Sequence, residues 1–114
     1  NEKAGLGRFA CVENSTGLVI GVVGLRPELD FGGFAFGYRI LPEYWGQGFA
    51  TEAALAILKY AEIVLKLEQL VATVFPQNIA SVRVLEKIGM VFEQEVLLRG
   101  TTQILRLYRA KHQV

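Results

Sequence analysis

Cysteine occurs once in these 114 residues, at Cys11, so no internal disulfide can form and a disulfide-stapled fold is excluded. A run of apolar residues long enough to cross a bilayer is missing, and so is a signal-peptide pattern; the expectation is a cytoplasmic protein that meets no membrane. An excess of either charge is missing too. Twelve Lys and Arg stand against eleven Asp and Glu, a net charge of +1, and the basic residues are scattered, which leaves nucleic acid without an electrostatic footprint. The single histidine, His112, sits in a terminus expected to fray rather than in a site, and no metal is expected. Internal repeats and low-complexity tracts are absent.

Apolar residues are plentiful, 52% against 20% charged, which is a globular composition, and residues 1–114 are read as a single domain. Asn1 to Gly7 read as a loop that runs straight into a strand, as though an earlier element were missing. Phe9–Glu13 and Leu18–Leu25 form a hairpin across Asn14-Ser15-Thr16-Gly17. In the next strand Phe34, Phe36, Tyr38 and Ile40 alternate with Ala35, Gly37, Arg39 and Leu41, and Gly37 marks a bulge. Pro42 stops that strand. A helix is expected over Thr51–Lys66, with Ala54, Leu58, Ala61 and Leu65, flanked by Ile57 and Val64, facing the core, and Lys59, Glu62 and Lys66 outward.

Gln69–Phe75 reads as a buried strand closed by Pro76, and Asn78–Lys87 as a second helix that ends before Gly89, with Val82, Leu85 and Ile88 inward. Val91–Leu98 and Gln103–Ala110 make a last hairpin around Arg99-Gly100-Thr101-Thr102. The order is β-β-β-α-β-α-β-β. The fold class is α+β: a mixed, mostly antiparallel sheet with two helices, in which a helical crossover makes the third and fourth strands parallel.

Between Pro42 and the first helix lies Trp45-Gly46-Gln47-Gly48-Phe49-Ala50-Thr51. At such a strand-to-helix junction free backbone N–H groups and the positive end of the helix dipole converge, a setting that binds anions. Gly46 and Gly48 remove the Cβ atoms that would hold a phosphate off the backbone. Ala50 and Thr51 are small enough for the first turn to close over it, and Thr51 adds a hydroxyl donor. A plain glycine-rich turn is the alternative. Glu52 and Ala53 stand where a dinucleotide fingerprint needs another glycine, and no Lys-Ser or Lys-Thr pair is present for a P-loop.

The stretch from Leu41 to Ala53 resembles the acetyl-CoA loop of GNAT N-acetyltransferases, (Gln or Arg)-x-x-Gly-x-(Gly or Ala), with Trp45 in the first place, Gly48 as the glycine and Ala50 in the last. Tryptophan in that first place is similar to the RimJ/RimL-like branch, the ribosomal-protein N-terminal acetyltransferases. Asn78 to Met90 is similar to the same branch: Asn78-Ile79-Ala80-Ser81, then Glu86-Lys87-Ile88-Gly89, with Met90 where the branch has Phe. Two motifs in order on elements of the right type are far more specific than either alone. The resemblance covers the chain from Arg8 onward and implies a family domain short of its front strand and helices, which help form the acceptor side.

What the resemblance implies is a GNAT-like fold that moves an acetyl group from acetyl-CoA to a primary amine, carried by a protein N-terminus or by a small molecule. It implies that the backbone of Arg39 and Ile40 holds the pantetheine arm and that Gly46, Gln47, Gly48, Phe49, Ala50 and Thr51 hold the pyrophosphate. Asn78 either hydrogen-bonds the pantetheine through its amide or serves as a helix N-cap. Ser81 either gives the leaving thiolate a positioned hydrogen bond, worth about 10–100-fold in rate, or is simply a small helix residue near the sheet. Leu85 stands where many family members have a catalytic tyrosine.

Glu43, Glu93 and Glu95 are carboxylates near the cleft, each explained as well by surface solvation, so no general base is assigned and water suffices. Tyr44 and Trp45 either line the cofactor groove or pack on the sheet. Two rival readings remain: a GNAT-like module that binds CoA without turnover, and an interaction domain that meets a partner through Phe31-Gly32-Gly33-Phe34. Pairing of Gln103–Ala110 at a sheet edge would give a homodimer.

Overall fold

The computed structural model describes residues 7–28, 33–67 and 69–110. The expectations for Asn1 to Leu6, for Phe31 and Gly32, and for His112 lie outside them. Alternation of apolar and polar residues produces β1 (Gly7–Val12), β2 (Val19–Pro27) and β3 (Phe34–Ile40). A short 3-10 turn at Pro42–Tyr44 leads to α1 (Phe49–Lys59), and then follow β4 (Leu70–Val74), α2 (Ile79–Lys87), β5 (Met90–Leu97) and β6 (Ile104–Ala110). The six strands form one sheet in the order β1-β2-β3-β4-β6-β5. All neighbours are antiparallel except β3 and β4, which the α1 crossover joins in parallel. This is the expected α+β class and element order.

Both helices cover one face of the sheet. Ala54, Ile57, Leu58 and Ala61 from the first helical stretch and Val82 and Leu85 from α2 close over Val23, Leu25, Phe36, Leu70, Ala72, Val74 and Tyr108. Val71, at 0% exposure, belongs to a smaller cluster with Ala35 and Leu107, against which Val96 packs. Removing this much apolar surface from water is the main stabilising term.

Four expectations need correction. Gly37 makes no bulge: it pairs with Gly24 in regular register, two glycines facing each other without interrupting the ladder, and the irregularities fall at Cys11/Val12 and Phe92/Gln94. The first helix begins at Phe49 rather than Thr51, because Gly48 at φ 87° turns the chain directly into it. It ends as an α-helix at Lys59 and continues as a π-helical segment, Tyr60–Val64, in which the Leu65 N–H reaches the Tyr60 carbonyl at 3.1 Å. That wider turn rotates the following residues, so Val64 is 61% exposed instead of facing the core. Finally, β6 is no sheet edge. It lies between β4 and β5 with both sides paired, so a dimer through Gln103–Ala110 has no free ladder to use; the edges are β1 and β5.

Candidate active site

β3 and β4 run side by side but pair only at Phe34↔Leu70 and Ala35↔Val71. Beyond that point β3 stays with β2 as far as Ile40, and β4 stays with β6 as far as Val74. The two strands therefore part toward their carboxyl ends, and each end leads into the N-terminus of a helix, α1 on one side and α2 on the other. The carboxyl ends of parallel strands are where open α/β sheets take their ligands.

A hydrogen bond from the Leu41 N–H to the Ile20 carbonyl, 2.8 Å, fixes the alternation of the β2/β3 ladder. Residues alternate between the two sides of an antiparallel strand. Arg39, opposite Val22, commits its backbone groups to β2, whereas Tyr38 and Ile40 turn theirs into the gap. Of the pair expected to hold the pantetheine arm, Ile40 turns its backbone groups into the gap, as Tyr38 does, while Arg39 turns its own toward β2. The Ile40 carbonyl accepts a hydrogen bond from Trp45 Nε1 at 2.7 Å, which ties the loop to the strand end.

The loop is held from within. The Tyr44 N–H donates to the Leu41 carbonyl at 2.9 Å, the Trp45 N–H to the Pro42 carbonyl at 3.0 Å, and Gln47 Nε2 to the Glu43 carbonyl at 3.3 Å. Tyr44 meets Phe49 edge to face, with centroids 5.8 Å apart. Gly46 at φ 78° and Gly48 at φ 87° occupy the left-handed region, and a Cβ at either would meet nothing within 4 Å. Backbone conformation rather than crowding requires glycine there, and the same openness leaves room for a phosphate. The first intrahelical bond runs from the Glu52 N–H to the Gly48 carbonyl, 3.0 Å, so the N–H groups of Phe49, Ala50 and Thr51 have no intrahelical partner.

Across the gap, Asn78 caps α2: its Oδ1 accepts from the Ser81 N–H at 3.2 Å. The capping oxygen is engaged, and the exposed side chain still has its NH2 to offer. Ser81 is half-buried one turn along, and Leu85 is buried in the core at 2% exposure. On β3, the Tyr38 hydroxyl is buried without a hydrogen bond of good geometry. Burial raises the phenol above its ordinary pKa, and a weaker influence of the Ser81 side chain lowers it. The sequence pattern put Tyr38 on the core face with Phe34 and Phe36, and its ring packs against the core, with the hydroxyl buried and unpartnered.

Of the three carboxylates near the cleft, Glu93 is engaged elsewhere. It sits at the irregularity between Phe92 and Gln94, where Arg109 takes it through Nε and, at 3.1 Å, through Nη2, while Arg109 Nη1 donates to Gln69 Oε1 at 2.9 Å. The hydrogen bond from Arg109 holds the Glu93 carboxyl below the usual carboxylate range, so it is a poor proton acceptor. A separate, largely apolar cavity of about 650 Å³ lies between the β1–β2 hairpin and α1, lined by Phe9, Cys11, Ile57 and Tyr60 and reaching Ile40 at the end of β3 and Phe49 at the start of α1. Burial raises the Cys11 thiol there, which keeps it protonated. Among the described residues no helix is long and apolar enough to cross a membrane.

A pair of parting parallel strands, with an open glycine loop on one side and a capped helix start on the other, is the arrangement of an acyl-CoA-dependent N-acyltransferase fold. Residues 1–91 match the family model described as the Acetyltransferase (GNAT) domain, and the chain belongs to the GNAT family. The uncharacterized N-acetyltransferase YoaA of Bacillus subtilis (strain 168) is 36% identical over 99 residues, covering 86% of this chain and 54% of YoaA. The crystal structure of a GNAT-family acetyltransferase from Bacillus anthracis matches with a TM-score of 0.81 and 28% identity over 90% of this chain and 64% of that one. A ribosomal-protein-S5-alanine acetyltransferase from Vibrio fischeri shares the fold, with a TM-score of 0.78 and 23% identity over 92% of this chain and 61% of its own. The matched part of the chain spans between 23% and 58% of the length of the curated relatives. GNAT acetyltransferases take their acetyl group from acetyl-CoA.

Proposed function

We propose that the chain carries the acetyl-CoA site of an N-acetyltransferase that acetylates a primary amine, in the first instance a protein N-terminal amine, in the cytoplasm. The parting of β3 from β4 between two helix N-termini carries this reading. In it, the N–H groups from Gly46 to Thr51 hold the pyrophosphate, the inward backbone of Tyr38 and Ile40 pairs with the pantetheine amides as a further strand would, and the Asn78 amide donates to the same arm.

A neutral amine then attacks the thioester carbonyl, whose oxygen draws on a backbone N–H in the gap. The new C–N bond forms, the C–S bond breaks, the amine's proton leaves to water, and the Ser81 hydroxyl hydrogen-bonds the departing thiolate. The tryptophan form of the loop and the Asn78–Ser81 spacing favour the protein N-terminal acceptor over a small-molecule amine.

The test is thiol release from acetyl-CoA in the presence of Ala- and Ser-initiated peptides, spermidine and free amino acids. Release with the peptides is expected. Binding of acetyl-CoA without release for any amine would make the chain a CoA-binding module instead, and release with spermidine alone would move the acceptor to small molecules.

A further inference from the structure

On the face of the sheet away from the helices, the register brings three arginines together. Arg8 pairs with Gly24, Gly24 with Gly37, Val22 with Arg39 and Arg26 with Ala35, so the arginines stand on one face around two facing glycines. Ala35 belongs to the small cluster on that second face. A strand spacing of about 4.8 Å and a rise of about 3.4 Å per residue put each arginine Cα within roughly 9 Å of that of Gly24. The result is a trough of about 830 Å³ with Gly24 and Gly37 in its floor and no carboxylate in its lining. The Arg8 stem lies over that floor, its Cγ 3.8 Å from where a Gly24 Cβ would stand. Only Arg26 has an acid close by, Glu28 at 3.8 Å; among the described residues neither Arg8 nor Arg39 is paired with one. Like charges gathered on neighbouring strands repel one another, so this cluster costs the fold stability unless an anion joins it.

We propose that this trough binds the acceptor: an extended peptide whose amine enters the gap between β3 and β4 and whose acidic side chains, in the residues just after the amine, pair with Arg39 and Arg8. Arg39 lies between Tyr38 and Ile40 on the strand that borders the gap, and the trough runs from there across β2 to β1. The same spacings put the Cα atoms of Arg39 and Arg8 roughly 12 Å apart, the length of about three to four extended residues. Carboxylates spaced along a chain match that spread, and a guanidinium takes each of them in bidentate fashion. The glycine floor lets a peptide backbone lie close to the sheet. The destination of the amine rests on the acetyltransferase reading; the acidic character of the chain rests on the arginines alone.

The experiment compares Ser-initiated peptides that carry Asp and Glu after the amine with the same peptides carrying Asn and Gln. Thiol release gives KM, and fluorescence anisotropy of C-terminally labelled peptides gives binding without turnover. The acidic peptide should show a KM about tenfold lower, a preference that shrinks as salt rises. Arg8→Ala and Arg39→Ala, each checked by thermal melting, should raise that KM about 2–5-fold and leave the neutral peptide unchanged. Gly37→Val fills the floor at a point where a Cβ meets nothing within 4 Å, so it should fold and weaken both peptides. Equal KM for the two peptides, or an equal loss for both in Arg8→Ala, overturns the proposal while the acetyltransferase reading stands. Weaker acetyl-CoA binding in Arg8→Ala would assign the arginine to the cofactor's phosphates and also overturn it. If no amine releases thiol, anisotropy decides: acidic-peptide binding that is lost in Arg8→Ala keeps the trough and removes only the acetyltransferase reading, whereas no binding removes both.

Discussion

Asn78 has a cap role in the fold and a proposed role at the cofactor, and one substitution can separate them. Its Oδ1 caps α2, while its NH2 is free to meet the pantetheine. Asn78→Ala should cost about 1 kcal/mol in urea unfolding through loss of the cap. Asn78→Asp keeps a capping oxygen but has no donor, so stability should hold while acetyl-CoA affinity falls roughly tenfold, equivalent to about 1.4 kcal/mol. Equal affinity in Asn78→Asp and wild type would reduce Asn78 to a cap. Trp45 poses a similar question. Although 66% exposed, it reaches the Ile40 carbonyl, so the aromatic was neither plain packing nor plain lining. Trp45→Phe should cost about 1 kcal/mol, read in the same unfolding experiment.

At the scale of elements, β5 is an edge strand held to β6 by its ladder and by the Glu93–Arg109 pair. The folded-state pKa of Glu93 is depressed, so the pair stabilises above the ordinary carboxylate value and is lost as pH falls through the folded pKa. Glu93 is partly exposed, and water screens it; Glu93→Gln should cost less than about 1 kcal/mol at neutral pH, and that difference should vanish in acid unfolding curves below the carboxylate range.

The elements themselves were legible because their periods are local: alternation marked Phe34–Ile40, three- and four-residue steps marked Ala54 to Ala61, and Asn78 and Gly89 bracketed α2. The glycine loop was legible as a strand-to-helix turn, since the residues that shape it are consecutive. What stayed hidden depends on distant residues. The insertion of β6 between β4 and β5 and the direction in which each backbone group of β3 points are set by neighbours that no single window contains. The π-helical turn at Tyr60 escaped because the apolar spacing through Leu65 fits an α-helix equally well.

In the whole molecule the proposed site draws on two distant stretches, residues 38–51 and 78–81, held in register by a sheet whose second face depends on Ala35, Val71 and Leu107. Leu107 is fully buried on the strand that joins β4 to β5, and Leu107→Ala should cost about 2–5 kcal/mol, enough to consume much of a small domain's stability and lower its melting temperature by several degrees or more. Acetyl-CoA binding should then protect the wild type against melting, since a ligand that bridges both stretches binds only the folded chain. The most direct test of the account is calorimetric titration with acetyl-CoA of the wild type and of Gln47→Glu, which places a negative charge in the exposed glycine loop and keeps both glycines, though it loses the Gln47 bond to the Glu43 carbonyl. The account predicts binding by the wild type, weakened about tenfold or more in Gln47→Glu by charge repulsion with the pyrophosphate. No binding by the wild type, or equal affinity in the two proteins, would contradict it.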